Sequence, residues 1–181
     1  VADEIPVHLK NLYQVRSIQL FEQDLDSLLK NFKPVSLGDI YDHLTKYNSI
    51  PKNSFHISFD DGLREFGTIA WPILKQKGIP ASIFVNPSFV DNKELFYRFK
   101  ASILVDFIDT NKDSELVSNA NAMFKETFQS FENLKNYLLK VGYGQQKVLD
   151  DIASFFSIDF DRFLAERKPY LNFAELEQLQ K

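Results

Sequence analysis

Apolar residues recur at intervals of three and four along the first part of the chain, which is the period of an amphipathic helix. This spacing predicts one helix over residues 17–32 and a second over about residues 38–47. Ser17 is placed to cap the first helix, and Pro34 ends it. Strict alternation over Phe55–Phe59 then predicts a strand whose apolar residues share one face.

A helix and a second strand follow this first strand. The helix ends near Lys77, and its regular part begins around Ala70–Trp71, because Pro72 is tolerated only in a first turn. Gly78 suits the C-terminus of the helix, and the run Ala81–Val85 forms the next strand. The order strand, helix, strand predicts a β-α-β unit with two parallel strands.

The pattern changes over residues 94–167, where apolar residues keep a helical period. We predict an all-helical insertion with breaks near Asn111–Asp113 and Gly142–Gly144. Its phenylalanines stand at helical spacing and are expected in a core rather than on a binding face. Residues 1–16 read as irregular.

The chain closes with a last predicted helix. Asn172 and Glu175 stand at the spacing of a capping box that would open it. The predicted organisation is therefore an N-terminal part over residues 1–93, the insertion, and a return over residues 168–181.

The composition fits one domain, or one domain with an insertion. The 181 residues are 44% hydrophobic, which allows a sizeable core, and the absence of cysteine excludes disulfides and thiolate metal sites. A net charge of −4 argues against a nucleic-acid surface, which needs a basic footprint. No apolar run approaches the roughly 20 residues of a membrane span. The compartment is not predicted.

Two adjacent carboxylates close the first predicted strand, in the run Ser58-Phe59-Asp60-Asp61-Gly62. Gly62 allows the backbone to turn sharply there. Ligands of α/β folds bind at the carboxyl ends of parallel strands, so one carboxylate could ligate a metal while the other acts as general base. The alternative is that Asp-Asp-Gly is only favourable turn chemistry.

This run and its surroundings resemble the polysaccharide deacetylase family, also called the NodB-homology or carbohydrate esterase family 4 group. The resemblance covers roughly residues 17–90 and 169–181 and leaves out the helical insertion. Besides the pentapeptide, it is carried by Phe21–Leu37, Pro72–Leu74, Gly78–Ala81, Phe84–Val85 and Tyr170–Leu179. It implies an α/β fold, namely a partial distorted (β/α) barrel of NodB type that carries a helical insertion.

The resemblance implies a metal-dependent hydrolase that removes N-acetyl groups from a polysaccharide or amino sugar. Asp60 would be the general base that activates water, and Asp61 would ligate a divalent metal, usually zinc. The implied partner is a carbohydrate, and Trp71 and Tyr97 are aromatic candidates for a sugar cleft. The alternative function is a non-catalytic NodB-like carbohydrate-binding module, and a third hypothesis gives the insertion a docking role.

The family completes its metal shell with two histidines spaced His-x-x-x-His, which this sequence lacks. His56 lies roughly 13 Å from Asp60 along an extended strand, too far to share a metal with it. We expect His56 to be a packed or edge residue and His8 and His43 to be solvated or capping groups. We therefore expect the chain to stop before the histidine motif and to be inactive by itself, with zinc held by the intact parent. A part-barrel would also leave a strand edge unpaired, which favours dimers.

Overall fold

A computed structural model describes residues 1–111, 118–122 and 128–179, and these form two compact units. The sheet unit comprises Val1–Asp3, Arg16–Glu94 and the segment from Arg167 onward, and it contains every strand among the described residues. The helical unit comprises Glu4–Val15 and Leu95–Glu166. The prediction of an α/β chain is confirmed, while the boundaries of the insertion stay a prediction.

The main elements of the described chain are helices and short strands, and all of the strands precede the helix that begins at Tyr97. In chain order they are α1 (Val7–Lys10), α2 (Ile18–Asn31), β1 (Lys33–Pro34), α3 (Leu37–Lys46), β2 (Ser54–Phe55), β3 (Ile57–Phe59), a π-helix (Phe66–Ala70), α4 (Trp71–Gln76), β4 (Ala81–Ile83), α5 (Tyr97–Thr110), α6 (Phe131–Lys140), α7 (Lys147–Phe155), α8 (Phe160–Arg167) and α9 (Phe173–Leu179). None of the helices in the described ranges has the length and hydropathy needed to cross a bilayer.

Helices α2 and α3 begin close to their predicted positions because serine side chains cap them. The hydroxyl of Ser17 accepts a hydrogen bond from the Leu20 N–H at 3.3 Å. Ser36 forms a full capping box with Asp39, in which the backbone N–H groups of both residues are bonded at 2.8 and 3.0 Å. Each such cap contributes about 1 kcal/mol to helix stability.

The predicted strand over Phe55–Phe59 is divided between two partners. β2 pairs in parallel with β1, and β3 pairs in parallel with β4. His56 lies between them, and its ring Nδ1 and Nε2 hydrogen-bond the Val35 carbonyl at 2.8 Å and the Ser82 hydroxyl at 3.0 Å. Of the two expectations for His56, a packed or an edge residue, the structure shows the packed one, since the ring is half-buried and joins the end of β1 to β4.

The predicted β-α-β unit is confirmed by the parallel register of β3 and β4, in which Ile57 lies opposite Ala81 and Phe59 opposite Ile83. Pro72 lies in the first turn of α4, where its missing N–H is harmless. The apolar face of the strands packs on a core of buried side chains, each worth about 1.5–3 kcal/mol. This core consists of Leu25, Phe66, Ala70, Leu74, Ile79 and Leu171.

The outer edge of β4 has no partner strand among the described residues. Phe84 and Val85, which follow β4, are 53% and 38% exposed. The described residues form two two-stranded sheets, so the barrel and the dimer stay predictions.

The helical unit is built around α5, which packs against α1, α6 and α7. Phe99 and Phe160 are buried as predicted, whereas Phe155 is 46% exposed. The predicted break near Gly142–Gly144 falls between α6 and α7. The other predicted break follows the end of α5, and its residues from 112 onward lie outside the described residues.

Residues 1–16 are irregular as expected except for α1, whereas the expectation that His8 is a solvated or capping group is wrong. Residues of α1 dock on α5, where the Ser102 hydroxyl donates to the Val7 carbonyl at 2.8 Å and the Asn11 amide donates to the Ser102 carbonyl at 3.1 Å. His8 is only 4% exposed, with its ring centroid 4.9 Å from that of Phe99. Burial lowers the pKa of His8 from 6.5 to about 4.

His8 should make the stability of the protein depend on pH. In the window from pH 6.5 down to about pH 4, the unfolded chain binds a proton that the folded chain excludes, so stability is complete above this window and is lost as the pH falls through it. The loss should be on the order of 3 kcal/mol. His8→Phe keeps a ring in the pocket and should flatten the decline in thermal midpoint measured by circular dichroism. An equally steep decline in the variant would contradict this role.

Candidate active site

The acid pair lies directly after β3, at the carboxyl end of a parallel strand pair. The Phe84 N–H donates to the Phe59 carbonyl at 2.7 Å, immediately before the pair. Asp60 is exposed and Asp61 is half-buried. The two carboxylates therefore lie at the edge of the sheet where α/β proteins bind ligands.

The backbone turns sharply at Asp61 and Gly62, whose φ angles are 65° and 70°. Aspartate tolerates this left-handed conformation better than most residues, and glycine adopts it freely. A Cβ on Gly62 would lie 3.1 Å from Cγ1 of Val85. Glycine is thus favoured at this position both by the backbone conformation and by the neighbouring side chain.

The two carboxylates have different surroundings. Burial, and next the negative charge of Asp60, raise the pKa of Asp61 above its ordinary value. A cation beside Asp61 would oppose this effect by stabilising the ionised carboxylate. The pair therefore combines the exposed carboxylate of Asp60 with the half-buried carboxylate of Asp61, whose ionised form a nearby cation would stabilise.

The return segment of the chain holds the turn in place from the other side. The Leu171 N–H donates to the Gly62 carbonyl at 2.9 Å, and the Arg64 N–H donates to the Pro169 carbonyl at 2.9 Å. The Arg64 side chain adds a bond from Nε to the Lys168 carbonyl at 2.8 Å. No sequence pattern indicated this contact, because it joins residues more than a hundred positions apart.

The capping box predicted in the return segment is confirmed. The Asn172 side chain accepts from the Glu175 N–H at 2.8 Å, and the Glu175 carboxylate accepts from the Asn172 N–H at 2.8 Å. Helix α9 therefore starts two residues after Leu171, whose N–H bonds the Gly62 carbonyl. This early start of the helix fixes the direction in which the return segment leaves the turn.

The histidines do not join the acid pair. Both ring nitrogens of His56 are engaged with other groups, His43 bonds the Asn48 carbonyl through Nδ1 at 2.5 Å, and His8 belongs to the helical unit. Within the described ranges there is no group of three or more histidine, cysteine, aspartate or glutamate side chains that could hold a metal ion. The described residues do not fit a complete zinc shell, and no chemical step is assigned to a metal here.

A groove of about 710 Å³ in the sheet unit is lined by residues of β4 and of α9. Alternate residues of β4 and its extension, Ala81, Ile83 and Val85, contribute one face of the strand to this lining. The lining includes Trp71, one of the two aromatic candidates for a sugar cleft, and the 61% exposed Phe173. Tyr97, the other candidate, belongs to the helical unit and packs against Phe96 and Tyr143.

Comparison with models of protein families finds no match to this chain. Comparison with curated proteins also finds no match. Among solved structures, the chain is similar to the Streptococcus pyogenes deacetylase PplD in complex with acetate, with 20% sequence identity and a TM-score of 0.43. The similarity covers 57% of this chain and 47% of that one, so this chain spans less than half the length of PplD. We draw no functional conclusion from a likeness of this size.

Replacing Gly62 tests whether the turn depends on glycine. Gly62→Ala should destabilise the protein by about 1–2 kcal/mol, because it adds a left-handed strain and a close contact with Val85. Gly78→Ala has the same sign of φ, at 66°, but an open surrounding, and Gly142→Ala has neither problem, with φ at −83°. Denaturant unfolding should rank the three losses in that order. A loss for Gly62→Ala no larger than that for Gly142→Ala would contradict the role of the turn.

Replacing Asp60 tests the electrostatic coupling of the pair. Asp60→Asn removes the neighbouring negative charge and should lower the pKa of Asp61 towards its ordinary value, although burial keeps part of the elevation. The carboxyl carbon shift of Asp61, followed by NMR over a pH titration, reports this change. Asp3→Asn is a control that should leave the titration of Asp61 unchanged. An unchanged Asp61 titration in Asp60→Asn would show that the two carboxylates do not interact.

Proposed function

We propose that this chain carries the acid pair of a hydrolase that removes N-acetyl groups from a polysaccharide or amino sugar. In this proposal Asp60 is the general base and Asp61 is a ligand of a divalent cation, with zinc as the expected ion. The intact fold would be a distorted (β/α) barrel of NodB type, in which a further strand extends the sheet at the outer edge of β4.

The observation that carries the proposal is the placement of the pair. Two consecutive carboxylates follow a half-buried strand, lie at the carboxyl end of a parallel pair, and are held by a left-handed turn that favours glycine at Gly62. A surface turn does not need this close approach of Val85 or the backbone bond from Leu171. The strain is typical of functional sites.

Each acid suits the role proposed for it. Asp60 is exposed, so its carboxylate can accept a proton from a water molecule. The oxygen of that water would form the new bond to the acetyl carbon, the C–N bond would break to release acetate, and the amine would leave with the proton that Asp60 had taken from the water. Asp61 is half-buried, and a cation would offset the burial that raises its pKa. Further ligands would have to come from residues other than those described.

The groove beside β4 supports the alternative of a non-catalytic carbohydrate-binding module. Trp71 and Phe173 contribute aromatic surface to an open groove of about 710 Å³, while Asp91 and Lys93 add charged groups to its lining. A mainly apolar cleft with few polar groups is the usual form of a small-molecule site. Binding of sugar here would not require the acid pair.

An assay of acetate release tests the proposal. It uses the full-length protein with added zinc, and N-acetylated chito-oligosaccharides are the substrate. Asp60→Asn should reduce turnover by about 10²-fold or more, since it removes the general base. Asp61→Asn should reduce both turnover and bound zinc. Asp161→Asn, on α8 of the helical unit, is a control that should leave both unchanged.

The same assay separates the two functions. Turnover that survives in Asp60→Asn would overturn the role of the pair. Sugar binding without acetate release, weakened by Trp71→Ala and unaffected by Asp60→Asn, would support the binding module instead. Clear turnover by this 181-residue chain with added zinc would contradict our expectation that it is inactive by itself.

A further inference from the structure

Backbone strain in the sheet unit is concentrated where three connecting segments meet. These are the turn after β3, the loop that follows β4, and the return segment before α9. Among the described residues, four of the six non-glycine residues with positive φ lie in these segments, namely Asp61, Asp91, Asn92 and Lys168. Such conformations cost about 1–3 kcal/mol each and persist only when surrounding interactions hold them.

Asn92 holds the return segment by its side chain. Its Oδ1 accepts from the Tyr170 N–H at 2.9 Å, and its Nδ2 donates to the Tyr170 carbonyl at 3.1 Å. The amide therefore bonds both polar groups of one residue, as a neighbouring strand would do. Tyr170 is only 1% exposed, so leaving its N–H and carbonyl without partners would be expensive.

Leu171, the residue after Tyr170, connects the return segment to the acid pair. The Leu171 N–H donates to the Gly62 carbonyl at 2.9 Å, and Gly62 follows Asp61 directly. Neighbouring bonds have the same character: Arg64 bonds the carbonyls of Lys168 and Pro169, and the Asp91 carboxylate accepts from the Phe173 N–H at 2.9 Å. These contacts fix the main chain of the return segment rather than its side chains.

We propose that Asn92 is a positioning residue for the Asp60–Asp61 pair. It fixes Tyr170, the adjoining Leu171 fixes Gly62, and Gly62 sets the direction in which the two carboxylates leave the sheet. The catalytic purpose of this positioning rests on the proposed function. The hydrogen bonds by which Asn92 positions the pair do not depend on any activity. If Asn92 had only a structural role, it would stabilise the loop after β4 without changing the amide shifts or the Mn²⁺ response of the Asp60–Asp61 pair.

The chain provides a matched control for this distinction. Asn121 in the helical unit makes the same two bonds to one backbone, accepting from the Phe128 N–H at 2.6 Å and donating to the Phe128 carbonyl at 3.1 Å. Its removal should destabilise the protein through the same chemistry, without any connection to Asp61. Asn121→Ala is therefore the reference for Asn92→Gly, in which glycine tolerates the φ of 56° at position 92.

NMR of the full chain tests the proposal with Mn²⁺ as the probe. In Asn92→Gly the Leu171 amide should exchange with solvent about tenfold faster or more, as expected for the loss of about 1.4 kcal/mol of protection. The Mn²⁺ concentration that broadens the amide signals of residues 60–62 by half should rise several-fold. Asn121→Ala should change neither quantity. Asn92→Asp, which keeps the acceptor for Tyr170, should give intermediate values and guards against misfolding of the glycine variant.

Two results would overturn the proposal. One is an unchanged exchange rate at Leu171 in Asn92→Gly, and the other is faster exchange without any change in the response to Mn²⁺. If Mn²⁺ does not broaden residues 60–62 in the unaltered chain, the proposed cation role of Asp61 fails. In that case the amide chemical shifts of Asp61 and Gly62 test the positioning role. These shifts should change in Asn92→Gly and stay unchanged in Asn121→Ala. Unchanged shifts in both variants would refute the positioning role of Asn92.

Discussion

The sheet unit depends most on the bond between the Leu171 N–H and the Gly62 carbonyl. It joins the turn after β3 to a segment more than a hundred residues later, which the chain reaches only after passing through the helical unit. It fixes a turn whose two central residues are left-handed, and it places Leu171 in the core beside Phe66 and Leu74. Because successive strand residues point to opposite faces, the turn at Asp61 and Gly62 has to change the direction of the chain if both carboxylates are to face one site.

Local signals in the sequence were enough to predict most of the elements. The predicted caps at Ser17 and Asn172 act within four residues, so their effect can be read without knowledge of the fold. Pro72 and Gly78 constrain the backbone in the same local way. The parallel pairing of β3 with β4 followed from the order of elements, since two strands joined by a helix are normally parallel.

The sequence could not predict the features that depend on distant partners. The short helix α1 is stabilised by docking on α5 through Ser102, ninety-five positions beyond Val7, and its propensity alone is weak. The division of the predicted strand at His56 arises because the ring bonds groups from two other segments. The clamp of Asn92 on Tyr170 spans seventy-eight positions, and an isolated asparagine gives no signal of such a bond.

The most direct test of the central claim is a crystal structure of the full-length protein soaked in Mn²⁺ and recorded at the manganese absorption edge. We predict an anomalous peak at about 2 Å from a carboxylate oxygen of Asp61, with the Asp60 carboxylate facing the same space. Anomalous density confined to other acids, with the side chains of Asp60 and Asp61 directed apart, would contradict the claim that this turn presents a functional acid pair.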